Sequence, residues 1–252
     1  MSSNNIKQLN VLYKNQTTLD SYIYCVLAPK IAAELIRVTL GFHAEADFMI
    51  SCLPHSFFLK LPSLSHKITV ADFAHSAFGE PCPYPVYVDD EGVACKDVYI
   101  VDKGRIGACM TDKTTAASLG LPLTGNARIP KSERKPTICM RNTALLPNHD
   151  TLDNMISTIP NGFYFVDGFN FEGETNGDFA CLIAEAYHIK NGKVCEKACN
   201  NVIWGSGRDF LRSITMVGND FMWFPSTSGK KDLPKSSVGA PSIKAMVNTG
   251  RI

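Results

Sequence analysis

The chain has 252 residues, 45% hydrophobic and 19% charged, the composition of an ordinary globular protein with length enough for one large domain or two small ones. Its formal net charge of +1 argues against a binder of nucleic acid or anionic membrane, since such proteins carry a basic excess or stripe. No apolar run reaches the ~20 residues of a membrane helix, and the polar start MSSNNIKQLNVLYKNQ lacks the apolar segment of a signal peptide, so neither membrane attachment nor export is expected.

In chain order, residues 1–20 read as a polar N-terminal segment. SYIYCVLA (Ser21 to Ala28) is a predicted strand. Pro29 suits the first turn of a helix whose apolar stripe runs Ile31, Leu35, Val38, Phe42, Met49. Asp90-Glu91-Gly92 and Asp102-Lys103-Gly104 punctuate a predicted β-meander. Asp112 to Leu121 is a short helix ended by Gly120, and TGNARIPKSERKP is a basic loop. Asp150 or Thr151 caps another helix that ends near Pro160. Asn176-Gly177 and Asn191-Gly192 are hairpin signals on either side of one long strand, FACLIAEAYHI. A capped helix starts at Ser206, and SVGAPSIKAMVNTGRI ends the chain as a strand. About four short helices amid many strands, in no regular βαβ order, predict an α+β fold of antiparallel and mixed sheets.

The chemistry-bearing residues are scattered. The nine cysteines contain no CxxC pair; Cys195 and Cys199 are the nearest, with no second pair to complete a zinc site. They read as reduced, mostly buried thiols of a cytoplasmic protein. No GxGxxG, Walker loop, GxSxG or HExxH occurs. In GFHAEADFMIS, His43, Glu45 and Asp47 are spaced by two. On a continuous helix His43 and Asp47 are neighbours while Glu45 turns away, so a three-ligand cluster would need the helix to end near Ala44. A solvated or salt-bridged helix face is the simpler reading.

Seven segments in order resemble one family. They are DDEGV (Asp89 to Val93), DKTTAASLGLPLTGNAR (Asp112 to Arg128), PTICMRNTALLPN (Pro136 to Asn148), EAYHIKNGKV (Glu185 to Val194), IWGSGRDFLRSITMVGND (Ile203 to Asp220), SGK (Ser228 to Lys230) and VGAPSIKAMVNTG (Val238 to Gly250). The set is similar to the C-terminal domain of the TldD/PmbA (TldE) family, also known as modulator of DNA gyrase. The resemblance implies that residues 21–252 form that domain and that the family's N-terminal domain is absent. It implies a metalloprotease system for peptides or unfolded segments, in which a TldD-type subunit carries the zinc and a PmbA/TldE-type subunit is its partner. Substrate is expected to lie as an added strand on a sheet edge.

The family's metal motif, HExxxH, runs on into GHxxEAD, and a cysteine in a CGK segment completes it. By resemblance Gly41, Glu45, Ala46 and Asp47 keep the tail. Arg37 and Val38 stand where the first His-Glu belongs, Phe42 at the second His, and Ser228 at the cysteine. A fixed cation, an aliphatic side chain, a phenyl ring and a hydroxyl oppose zinc binding. The expectation is therefore a non-catalytic subunit without a metal of its own, paired with a TldD-like chain that holds the zinc. The alternatives are a peptidase with a site rebuilt around His43, Glu45 and Asp47, and a homodimeric peptide-binding module. Arg128, Asn219 and Asp220 are candidate cleft residues by resemblance.

Overall fold

The structure is a computed structural model that describes residues 22–53, 56–131, 134–200, 202–226 and 235–251. The polar segment 1–20 and Ser228 lie outside the described residues.

Strand β1 (Ile23–Leu27) leads into helix α1 (Pro29–Ile36), with Pro29 in the first turn as its missing N–H allows. A π turn (Arg37–Gly41), a 3-10 turn (Phe42–Ala44) and α2 (Ala46–Ser51) follow. Next come β2 (Val70–Phe73), the short pair β3 (Ser76–Ala77) and β4 (Glu80–Pro81), and the hairpin β5 (Val98–Asp102) and β6 (Arg105–Ile106). Helix α3 (Lys113–Leu119) precedes β7 (Ala127–Arg128), β8 (Thr137–Ile138) and β9 (Asn142–Leu145). Helix α4 (Leu152–Ser157) is followed by the long strands β10 (Asn161–Gly173) and β11 (Phe179–Lys190), then β12 (Lys193–Lys197) and β13 (Val202–Gly205). Helix α5 (Gly207–Ser213) precedes β14 (Met216–Val217), β15 (Met222–Ser226), β16 (Ser236–Ala240) and β17 (Ile243–Gly250).

Two sheets organise these elements. In the first, β1 pairs parallel with β10, and β10, β11, β13 and β17 continue antiparallel. Strand β17 also pairs with β1, so the five strands close on themselves and leave β12 and β14 at the margin. Closure removes the unpaired edges that the long strands β10 and β11 would otherwise present. The second sheet runs β15-β16-β9-β2-β5-β6. Helix α1 packs against β10 of the first sheet and β9, β15 and β16 of the second. Ile31, Ala32, Ala33, Leu35 and Ile36 are all buried, so the helix is apolar on most of its circumference, as a helix held between two layers must be. The main core cluster runs from Leu27, Ile31 and Leu35 through Phe165, Phe179 and Phe210 to Val70, Ile100 and Val238, with smaller clusters around Met155 and around Phe73.

The α+β architecture agrees with the sequence reading, and the capping residues explain many element ends. Asp112 accepts from the Thr115 N–H at 2.7 Å to start α3, and Gly120 ends it in the left-handed conformation. Thr151 caps α4 and Ser206 caps α5. The predicted C-terminal strand is corrected to two: Pro241 cannot donate to a ladder, and the chain leaves the second sheet at Ala240 and joins the first at Ile243.

Candidate functional site

The apolar stripe predicts one helix from Ile31 through Met49, and the structure divides it. Regular α geometry stops at Ile36. In the π turn that follows, the Phe42 N–H bonds the Arg37 carbonyl. Residues five apart on an α-helix point about 140° from each other. The wider turn reduces that angle, yet Arg37 faces a cleft while the Phe42 ring packs 4.3 Å from Phe48. At Glu45 the backbone becomes extended and bridges Met110, with Ala46 N–H bonding the Met110 carbonyl at 3.0 Å and Met110 N–H the Ala44 carbonyl at 2.8 Å. A tertiary strand contact thus wins over a helical pattern that the sequence continues. The π turn is packed closely by β10: a Cβ on Gly173 would lie 2.9 Å from the Val38 carbonyl oxygen.

His43, Glu45 and Asp47 therefore do not lie along one helix, and they take separate partners. His43 is 2% exposed, with its ring 4.8 Å from Phe57, 5.2 Å from Phe48 and 6.1 Å from Phe42. Burial pushes its pKa down to about 4, with the Glu174 backbone opposing the shift more weakly, so the imidazole is neutral at pH 7. Glu45 is fully buried, and its Oε1 accepts from the Met140 N–H at 3.2 Å. Asp47 Oδ1 accepts from the Phe48 N–H at 2.8 Å and Oδ2 from the Thr137 hydroxyl at 3.3 Å. Among the described residues no group of three His, Cys, Asp or Glu lies within reach of a shared ion.

Arg37 instead lines an open cleft of 640 Å³ together with Glu34, Tyr84, Phe171, Pro225, Ser226 and Lys235. Arg37 Nε donates to Glu34 Oε2 at 2.6 Å, one helical turn back, and the Ser226 hydroxyl donates to Glu34 Oε1 at 3.2 Å. Ser226 and Lys235 flank residues 227–234, which include Ser228. Tyr84 is held by the buried Asn142, whose Oδ1 accepts the Tyr84 N–H at 3.1 Å and whose Nδ2 donates to the Tyr84 carbonyl at 2.9 Å. Nearby, burial pushes the Glu172 carboxyl up while the Arg37 charge opposes the shift. The Glu34–Arg37 pair was not singled out in the sequence, although its i,i+3 spacing on a helix is the signal that could have found it. Tyr84, Phe171 and Lys235 come from remote segments with no local signal to single them out.

The other candidates sit elsewhere. Arg128 Nε lies 3.5 Å from Asp90 Oδ2 and ties β7 to the predicted turn at residues 90–92. Asn219 is exposed. Asp220 accepts from the Ser242 N–H at 2.8 Å and the Ser242 hydroxyl at 2.6 Å, which fixes the corner where the chain changes sheets. No local pattern marks the fully buried pair Arg141–Asp72, 2.8 Å apart. Arg141 also donates to the carbonyls of Lys96 at 2.7 Å and Gly125 at 3.1 Å, so one guanidinium fastens two loops to the second sheet.

A catalytic zinc takes three N, S or O ligands and keeps one position open. Arg37 contributes a fixed cation already held by a carboxylate, Val38 is a buried aliphatic side chain, and Phe42 has no lone pair. His43 is enclosed by phenyl rings. These residues do not fit zinc.

Residues 21–249 match the family model described as PmbA/TldA metallopeptidase C-terminal domain. The chain is 32% identical over 224 residues to a zinc metalloprotease TldD homolog of Saccharolobus solfataricus, covering 87% of this chain and 49% of that protein. It is 29% identical over 200 residues to a metalloprotease of Methanothermobacter thermautotrophicus, covering 78% of this chain and 42% of the relative. The chain spans less than half the length of these curated relatives. The fold is shared with TldE from Thermococcus kodakarensis (TM-score 0.70, 18% identity, 88% of this chain and 50% of that one). It is shared equally with a Thermotoga maritima protein named for modulation of DNA gyrase (TM-score 0.71, 17% identity, 91% of this chain and 50% of that one).

Proposed function

Because the chain belongs to the PmbA/TldD metallopeptidase C-terminal domain family, we propose that it is a PmbA/TldE-like, non-catalytic subunit of a TldD-type zinc metalloprotease complex that acts on peptides or unfolded segments. What supports this reading is the chemistry of the residues that stand, by resemblance, at the family's metal positions. Arg37 lines the cleft and Phe42 packs on Phe48, and neither side chain can ligate a divalent cation, nor can Val38 act as a general base. Loss of the ligands removes hydrolysis while leaving the cleft, and a subunit of this kind contributes binding surface and orientation. Strand β15 supports that role, since it ends the second sheet and Pro225 and Ser226 carry it into the cleft wall. An extended peptide can add to such an edge through main-chain hydrogen bonds.

The partner is a TldD-like chain with an intact HExxxH motif. Co-expression of the two, followed by light scattering and a peptide-cleavage assay, tests the proposal. A stable heterodimer whose cleavage depends on the partner's motif is the expected result. A chain that stays monomeric, or pairs only with itself, in the presence of that partner contradicts it.

A further inference from the structure

The cleft beside α1 has the chemistry of a carboxylate receptor. Arg37 is held by its Nε edge, and both oxygens of the Glu34 carboxylate are occupied, one by Arg37 and one by Ser226. Among the described residues neither terminal nitrogen of Arg37 has a hydrogen-bond partner, and Lys235 is exposed without one. A guanidinium fixed through Nε presents its two terminal N–H groups as a rigid fork, the geometry that a carboxylate meets with two parallel hydrogen bonds. Glu34 is thus a positioning residue, and Lys235 adds a second cation to the same wall. The lining carries two cations and one carboxylate, so an anion completes its balance. Glu172 is an exposed carboxylate outside the lining; partial desolvation raises its pKa and the Arg37 charge opposes that shift.

The rest of the cleft selects the kind of anion. Tyr84 and Phe171 supply aromatic surface beside the cations, and Tyr84 is fixed from behind by Asn142. A volume of 640 Å³ is in the range of small-ligand sites, larger than a single inorganic anion needs. We propose that this cleft binds the C-terminal carboxylate of a peptide whose last side chain is aromatic or large and apolar, with Arg37 and Lys235 on the carboxylate and Phe171 and Tyr84 against the side chain. All the lining residues named belong to this chain. The site therefore stands or falls independently of the subunit reading: a chain without a partner could still carry it.

Calorimetric titration of the whole chain tests it, with the peptide Ala-Ala-Phe as free acid, the same peptide as C-terminal amide, and acetate. The acid should bind saturably and the amide roughly tenfold or more weaker, the worth of a hydrogen bond to a charged group. Arg37→Lys, which keeps the charge and loses the fork, should weaken the acid by a similar factor. Lys235→Gln, at an exposed position that does not support the fold, should weaken it by a smaller one. Equal binding of acid and amide, no saturable binding of the acid to natively folded chain, or full affinity in both variants overturns the site. Acetate competing at the concentration where the tripeptide does would overturn the peptide assignment.

Discussion

His43 offers a direct reading of what the broken helix does to a titratable group. In the folded chain its pKa is about 4, against 6.5 for the free side chain, because burial among Phe42, Phe48 and Phe57 disfavours the charged form. As pH falls through 6.5 the unfolded chain takes up a proton that the folded chain refuses, so stability is lost from pH 6.5 down to about 4 and the loss levels off below. The separation corresponds to about 3 kcal/mol across the window. His43→Phe removes the titration. It also adds ring volume to a packed nest, which costs stability. Near pH 7 the variant should therefore be no more stable than the wild type. Urea unfolding of both proteins across the window isolates His43, since every other group titrates alike in the two. The wild type should lose about 3 kcal/mol more than His43→Phe between the two ends. Parallel pH profiles would refute the buried, neutral imidazole and reopen a solvent-exposed or liganded role.

Three further outcomes follow from the packing. Arg141→Leu leaves Asp72 charged and fully buried, so denaturant unfolding should show a loss of about 3–5 kcal/mol, and adding Asp72→Leu should recover part of it. Gly104 has φ 79° and a Cβ there would lie 2.4 Å from the Leu64 carbonyl oxygen, whereas Gly79 has φ 84° and open space. Thermal unfolding should therefore show Gly104→Ala costing clearly more than Gly79→Ala, whose strain alone is about 1–2 kcal/mol. Asp112→Ala removes the carboxylate that caps α3 and should cost about 1 kcal/mol in the same measurement.

What the sequence disclosed and what it withheld divide by the range of the interactions. Caps and turns are local, so Asp112 with Gly120 and the Lys103-Gly104 hairpin, both residues at positive φ, could be read directly. The closure of the first sheet could not, because it joins Cys25 to Ala245 across almost the whole chain. The end of the α1 region was also hidden. The stripe from Ile31 to Met49 is helical in pattern, and only the bridge from Glu45 to Met110 breaks it. Of the residues singled out by resemblance, Arg37, Val38 and Phe42, only Arg37 lines the cleft, and its partner Glu34 was not read from the sequence. The cleft itself gathers Tyr84, Phe171 and Lys235 from segments that nothing in the sequence connects.

The non-catalytic reading requires that this chain hold no catalytic metal. Elemental analysis of the purified protein after equilibration with zinc and removal of excess decides the point most directly. His43→Ala serves as one arm, and a variant with Arg37→His, Val38→Glu, Phe42→His and Ser228→Cys as another. The wild type should retain no stoichiometric zinc and His43→Ala should match it, while only the four-fold variant could gain any. Stoichiometric zinc in the wild type that disappears in His43→Ala would contradict the non-catalytic reading.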